Sequence, residues 1–292
     1  MAEADDLDEA VAIFNEVRPR LMGIAYRMLG SHSEAEDLVQ EVWMRWQAAD
    51  RSAVVSPVAY LSTAVTRLAI NASQSARARR ETYIGPWLPE PVDTSADPLL
   101  GAERGEALSF AVLLVLERLS PTERAAYILR EAFDYPYDEL AAILQTTEAA
   151  VRQLVSRARK RIRAERRTEI SGTQQRKLLT AFVAAARSGD LAALEQLLAK
   201  DAISYSDGGG IRQVSKFPVV GRPRVAKYYR AFHERFWVGV EVEFGTANGQ
   251  AAAFLRRDGG DVFGFCTVNA SEDGIDEILW ILNPAKLTGV PA

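Results

Sequence analysis

Cysteine is nearly absent: Cys266 is the single one in 292 residues, so the chain carries no disulfide framework and no thiolate metal cluster. Histidine is almost as scarce. His32 and His233 lie far apart without ligand-like spacing, which argues against zinc catalysis, and no metal or cofactor is expected. No run of about 18 uncharged apolar residues is present, so no transmembrane helix is expected. The N-terminus, MAEADDLDEA, is acidic where a signal peptide would be basic and then apolar. These absences point to a cytoplasmic protein with no membrane partner. What remains is an ordinary globular composition, 48% hydrophobic and 25% charged, in a chain long enough for two or three domains.

The net charge of -4 conceals a polarised distribution. Between Arg152 and Arg167 stand Arg152, Arg157, Arg159, Lys160, Arg161, Arg163, Arg166 and Arg167 against one acid, Glu165. Residues 1–50 run the other way, with Asp5, Asp6, Asp8, Glu9, Glu34, Glu36, Asp37 and Glu41 among the acids. Nucleic-acid binding depends on the local field, so the modest total does not exclude it. The basic run closes the segment YDELAAILQTTEAAVRQLVSRARKRIRAERR, which reads as a short helix, a tight turn and a longer helix. On the longer helix Val151, Leu154, Val155, Ala158 and Ile162 share one stripe. The opposite face carries Ala149, Gln153, Ser156 and Lys160, flanked by Arg152, Arg157 and Arg163. Thr147 suits the N-cap, and Glu148 the positive end of the helix dipole. A helix that buries one side and offers a small, basic side to a groove is the build of a DNA-binding helix-turn-helix.

Upstream, Ala10, Ile13, Phe14, Val17, Leu21, Ile24, Ala25 and Met28 recur at helical spacing until Gly30. Ser31 and Glu34 form a capping box for a second helix that buries Ala35, Leu38, Val39, Val42 and Trp46. Asp37, Gln40, Glu41 and Met44 lie on its other side, with Trp43 at the margin. A third helix starts after Pro57 and ends in Arg77, Arg79 and Arg80.

SEAEDLVQEVWMRWQ followed by VAYLSTAVTRLAINASQSARARR resembles the sigma-2 domain of extracytoplasmic-function sigma factors. LERLSPTERAAYILREAFDYPYDELAAILQTTEAAVRQLVSRARKRI resembles their sigma-4 domain, and the two occur in the family's order. The resemblance implies a non-catalytic factor that binds core RNA polymerase, at the beta-prime clamp and the beta flap, and directs it to promoters. It implies that Asp37, Gln40 and Glu41 dock on the clamp helices and that Arg67, Asn71, Arg77 and Arg80 lie along the -10 element. Single-stranded recognition there needs a flipped base, and the loop Ala48 to Val55 is the expected place for its pocket. Arg67 stands where relatives often carry asparagine. In the second module Arg152, Gln153 and Arg157 match positions that read the -35 element, with Arg159, Lys160 and Arg163 as backbone contacts. Arginine can pair with guanine or grip a phosphate, and the sequence does not decide between them.

Between the modules, YIGPWLPEPVDTSADP is rich in proline, which stiffens the segment and excludes helix. Trp87 and Leu88 are out of place in a solvated connector and should pack against something. WLPEP also resembles a linker motif of a subgroup that carries a fused C-terminal SnoaL-like domain. From about Ser171 onward the sequence fits that subgroup: two helices split by Gly189, a strand, the loop Asp207-Gly208-Gly209-Gly210, a helix, and four further strands. The expected fold is therefore multidomain. Two all-α sigma domains (1–85 and 106–168) are joined by a linker (86–105) and followed by an α+β SnoaL/NTF2-like cone (171–292) with an antiparallel sheet. The chain departs from the subgroup at Ile211-Arg212 and at Ala285.

Trp87, Asp207, Gly208, Gly209, Gly210, Asn283 and Lys286 are the candidate regulatory contacts, through which the C-terminal domain would act in cis. The glycines serve equally well to make a tight turn. Asp207, Tyr228 and His233 are of the residue types an acid–base site needs, but nothing in their spacing demands one, and whether the domain takes a small ligand stays open. Two rival readings are a repressor with a ligand-binding domain and a cone-fold enzyme tethered to a DNA module.

Overall fold

The computed structural model describes residues 2–93, 109–165, 170–211, 214–288 and 290. Arg166, Arg167, Arg212 and the part of the connector from Thr94 to Gly105 lie outside the described residues. Among the described residues, 2–81 and 112–163 form one compact unit, and 82–93, 109–111 and those from 164 onward form a second.

The first unit is helical. Helices α1 (Ala2–Leu29), α2 (His32–Ala48) and α3 (Pro57–Glu81) pack together, with a short 3-10 turn at Arg51–Ala53. Gly30, at φ 64°, ends α1 in the left-handed conformation that glycine adopts without steric cost. Ser31 Oγ accepts the Glu34 N–H at 3.2 Å, while the Glu34 carboxylate reaches Arg79 on α3. Ala35, Leu38, Val39, Val42 and Trp46 are buried, as the heptad-like spacing requires. The rest of the unit is formed by the end of α4 (Phe110–Leu116), then α5 (Pro121–Glu131), α6 (Tyr137–Leu144) and α7 (Glu148–Glu165). Gln145, left-handed at φ 53°, makes the sharp turn between α6 and α7, and Thr147 Oγ1 accepts the Ala150 N–H at 3.2 Å. Ser120 and Glu123 form a reciprocal capping box on α5 that the sequence reading missed.

The second unit is α+β. Helices α8 (Gly172–Ser188) and α9 (Leu191–Leu197) lead into β1 (Leu198–Asp207), then β2 (Val219–Val220), α10 (Arg222–Phe236), β3 (Val240–Ala247), β4 (Gln250–Arg257), β5 (Val262–Ser271) and β6 (Gly274–Ile281). The sheet order is β2-β1-β6-β5-β4-β3. All neighbours are antiparallel except β1 and β6, which run parallel and correct the expectation of an antiparallel sheet throughout. The first and last strands of the domain are neighbours inside the sheet, and no hairpin links them, so nothing forces them antiparallel. Leu198 and Ala199, expected to continue α9, belong to β1 because Leu198 pairs with Ile275 across a register shift. Tertiary pairing there overrides a local helical pattern.

The core of this unit sits between α8, α9, α10 and one face of the sheet, around Phe182, Tyr229, Trp280, Trp237 and Cys266. On β4 and β5 the alternate residues are buried as well: Phe254 and Phe265 lie 5.7 Å apart, with Phe110 5.5 Å from Phe265. A strand buried on both faces reads as a continuous apolar run, and AAAFL is such a run. His233 lies against Gly189, where an added Cβ would come within 2.7 Å of its ring. No helix among the described residues is long and apolar enough to cross a membrane.

Candidate functional site

Helix periodicity decides what α2 offers to a partner. With its apolar stripe turned inward, Asp37, Gln40 and Glu41 are exposed, and Met44 beside them is 63% exposed. Glu41 also pairs with Arg45 one turn on, at 2.5 Å. The loop after α2 closes a concavity of about 580 Å³ whose lining includes Asp50, Val54, Val55, Ser56 and Tyr60. Asp50 caps the 3-10 turn through the Ser52 N–H at 3.1 Å, and Val55 stands wholly exposed at the rim.

On α3 the basic residues are not idle. Asn71 and Arg77 are exposed, but the Arg67 guanidinium donates to the carbonyls of Ile143 at 3.0 Å and Ala142 at 3.1 Å. Those carbonyls belong to the last turn of α6, whose outward-facing acceptors and negative dipole end suit a cation. Arg80 donates to the Leu29 carbonyl and pairs with Glu117. Glu117 also takes Arg124 at 2.7 Å, and Arg124 donates to the Met28 carbonyl at 2.6 Å. Burial pushes the Arg124 guanidinium well below its usual range, with nearby Arg77 adding to the effect. Gly23 lets Phe133 approach α1, since a Cβ there would meet its ring at 3.1 Å. The two helical modules of this unit therefore share an interface held by arginines, and part of the basic face expected to meet DNA is spent on it.

The recognition-type helix α7 buries Val151, Val155, Ala158 and Ile162 and exposes Arg152, Gln153, Ser156, Arg157 and Lys160. Arg157 pairs with Glu123 at 2.9 Å and Arg159 with Glu131 at 2.6 Å. Burial works against the charge of Glu123, but hydrogen bonds from Arg157 and Ser120 outweigh it and hold the carboxyl below the usual range.

The second unit gathers the other candidates around one carboxylate. Asp207, fully buried at the end of β1, accepts the Leu88 N–H at 2.8 Å, the Lys286 ammonium at 2.7 Å and the Tyr83 hydroxyl. The Lys286 ammonium also donates to the Leu88 carbonyl at 2.5 Å and lies 4.2 Å from the Trp87 ring centroid. Asn283 donates to the Tyr83 hydroxyl at 2.9 Å. Burial first, then the hydrogen bond to Asp207, raises the Tyr83 pKa far above the usual phenol range, so the hydroxyl stays a donor. Gly209, at φ 56°, is both turn and close approach: a Cβ there would meet Asn283 at 2.6 Å. Gly208 faces Val214 and Gly210 faces Ile84. Further along the connector, Val92 exchanges backbone and side-chain hydrogen bonds with Asn248, each at 3.0 Å. Leu88 to Val92 are buried.

Sequence reasoning missed Tyr83, Asn248, Glu117 and Arg124. Arg124 left a trace, since it sits one turn before Ile128 on a buried helix face where a cation needs a partner. Asn248 is also a turn residue, left-handed at φ 54°.

Residues 13–80 match the model of sigma-70 region 2, and residues 109–162 match that of sigma-70 region 4. The chain is 37% identical to the ECF RNA polymerase sigma factor SigJ of Mycobacterium tuberculosis, over 96% of this chain and 94% of that protein. It is 32% identical to a probable ECF RNA polymerase sigma factor, SigI, of the same organism, over 65% of this chain and 67% of that protein. The crystal structure of Mycobacterium tuberculosis SigJ superposes with a TM-score of 0.77 and 32% identity, covering 96% of this chain and 99% of that one. Two family models in sequence order, near-complete coverage of a curated relative and a shared three-part fold make the chain a member of the extracytoplasmic-function sigma factors, which bind RNA polymerase and promoter DNA and direct the initiation of transcription.

Proposed function

We propose that this sigma factor divides its work as the exposed faces suggest and is modulated in cis by its C-terminal domain. Asp37, Gln40 and Glu41 meet the clamp helices of the beta-prime subunit, and the module carrying α5 to α7 meets the beta flap. Arg67, Asn71, Arg77 and Arg80 follow the -10 strand, and the concavity beside Val55 takes a flipped base. Arg152, Gln153, Arg157 and Lys160 meet the -35 element in the major groove. The cytoplasm, where RNA polymerase works, is the compartment this implies.

The observation that carries the regulatory part is the burial of Asp207 against Tyr83, Leu88 and Lys286. The connector joining the two promoter-reading modules is built into the packing of the C-terminal domain. Its freedom sets whether both modules can meet elements at a fixed separation. The internal use of Arg67 and Arg80 supports the same reading, because the free chain has to give up those contacts to engage DNA. Polymerase then selects the open arrangement.

The test is promoter-specific transcription in vitro with core polymerase, comparing the full chain with one ending at Leu282. The shortened chain lacks Asn283 and Lys286. It is expected to form holoenzyme still, but to initiate at a changed rate. Equal rates would defeat the regulatory reading, and failure of the full chain to form holoenzyme would defeat the polymerase-docking assignment. For the -35 contacts, promoter affinity should fall steeply with salt, and Arg157→Ala should flatten the slope by about 1. A slope unchanged by that substitution removes Arg157 from the phosphate contacts.

A further inference from the structure

Arg152 differs from Arg157 and Arg159 of α7 in how it is held. Arg157 gives its Nε–H to Glu123 at 2.9 Å, and Arg159 gives Nε–H and Nη2–H to Glu131 at 3.1 Å and 2.6 Å, so carboxylates set the direction of both side chains. The guanidinium of Arg152 instead rests on the ring of Tyr137, 4.1 Å from its centroid, with only a longer 3.3 Å contact to Glu148. Stacking uses the face of the guanidinium, so its edge, apart from the Nη2 contact to Glu148, is left to donate. The ring is itself pinned. Tyr137 opens α6, and Arg130 lies 4.9 Å from the same ring centroid with its Nη1 on the Tyr135 carbonyl at 2.8 Å.

We infer that Tyr137 is a positioning residue for promoter specificity: its ring fixes the fork of Arg152 for bidentate pairing with one guanine of the -35 element. The inference rests on the assignment of α7 to that element. An exposed arginine samples many rotamers, and pairing with guanine O6 and N7 demands one plane and one direction. Residues near the start of a recognition helix are the ones that reach base edges, and Arg152 lies in its first turn and a half. An arginine fixed in this way reads a base; one free to swing grips whichever phosphate is near.

Holoenzyme carrying the full chain is to be selected on a promoter library randomised through the -35 element, followed by sequencing. Arg152→Ala is expected to erase a guanine preference at a single position, a loss of about tenfold or more in discrimination. Arg152→Lys, which keeps the charge without the fork, should lose the same preference while retaining overall binding. Tyr137→Leu should cut that preference by about threefold or more and leave the other positions unchanged, and Tyr137→Phe should keep it. A Tyr137→Leu variant that scales all positions equally, or shifts none, overturns the inference. So does Arg152→Lys retaining the preference, or Arg152→Ala lowering retention without altering any position. If the unsubstituted holoenzyme selects no -35 sequence at all, the assignment of α7 fails, and the inference with it.

Discussion

Asp207→Ala is expected to destabilise the C-terminal domain by about 3–5 kcal/mol, the usual cost of breaking a buried ion pair from one side. The carboxylate is wholly buried, and its partner Lys286 is 7% exposed. Removing it takes a carboxylate 2.7 Å from a buried ammonium and strips the Leu88 N–H and the Tyr83 hydroxyl of an acceptor. A loss of this size lowers the midpoint of thermal unfolding by roughly 10–20 °C for a domain of this length. The β1 backbone keeps its own ties, since the Asp207 carbonyl still accepts Leu282 at 2.8 Å and Asn283 at 3.1 Å, so the strand order should survive. Asp207→Ala combined with Lys286→Met should recover much of the loss, because a buried charge and its counter-charge leave together. Cleavage by chymotrypsin after Trp87, next to Leu88 which is only 1% exposed, should be faster in Asp207→Ala than in the unsubstituted chain. An unchanged unfolding midpoint together with unchanged cleavage would show that this carboxylate does not hold the connector.

Glu117→Ala is the second substitution of large expected effect. Its carboxylate serves both Arg80 and Arg124, whose side chains are 15% and 5% exposed. Burial already disfavours the charge of Arg124, so losing the carboxylate leaves it with the Met28 carbonyl as its described acceptor. The expected cost is about 3 kcal/mol, and it falls on the interface between the two helical modules. Loosening that interface frees Arg80 and, with the α6 contact weakened, Arg67. Binding of the free chain to a single-stranded -10 oligonucleotide, followed by fluorescence anisotropy at low salt, should therefore become several-fold tighter. Arg67→Ala, measured beside it, should weaken that binding. Should Glu117→Ala lower the unfolding midpoint with no gain in oligonucleotide binding, the shared interface is structural and does not mask the -10 face.

Much of this was readable before any coordinates. The stripe Val151, Val155, Ala158 and Ile162 had one way to be buried, and so α7 had one face left to offer. Asp37, Gln40 and Glu41 emerged on the solvent side of α2 for the same reason. Trp87 and Leu88 signalled burial because large apolar side chains in a proline-rich connector have nowhere else to go, but they did not name their partner. The parallel pairing of β1 with β6 left no local mark, since strand direction follows from connections that span the whole domain.

The sequence by itself determined the kind of protein this is: its family, its helix-turn-helix, its exposed acidic and basic faces and its α+β C-terminal domain. The family followed from the resemblance of two whole segments to sigma-2 and sigma-4 domains; the other features follow from period, capping and turn chemistry, which act within a few residues. Only the tertiary structure decided that Asp207 meets Tyr83 and Leu88 across more than a hundred residues, that Arg67 caps α6, and that Arg152 stacks on the ring of Tyr137. A charge has no periodicity to announce its partner. Which opposite group or aromatic face it finds is set by how the elements pack.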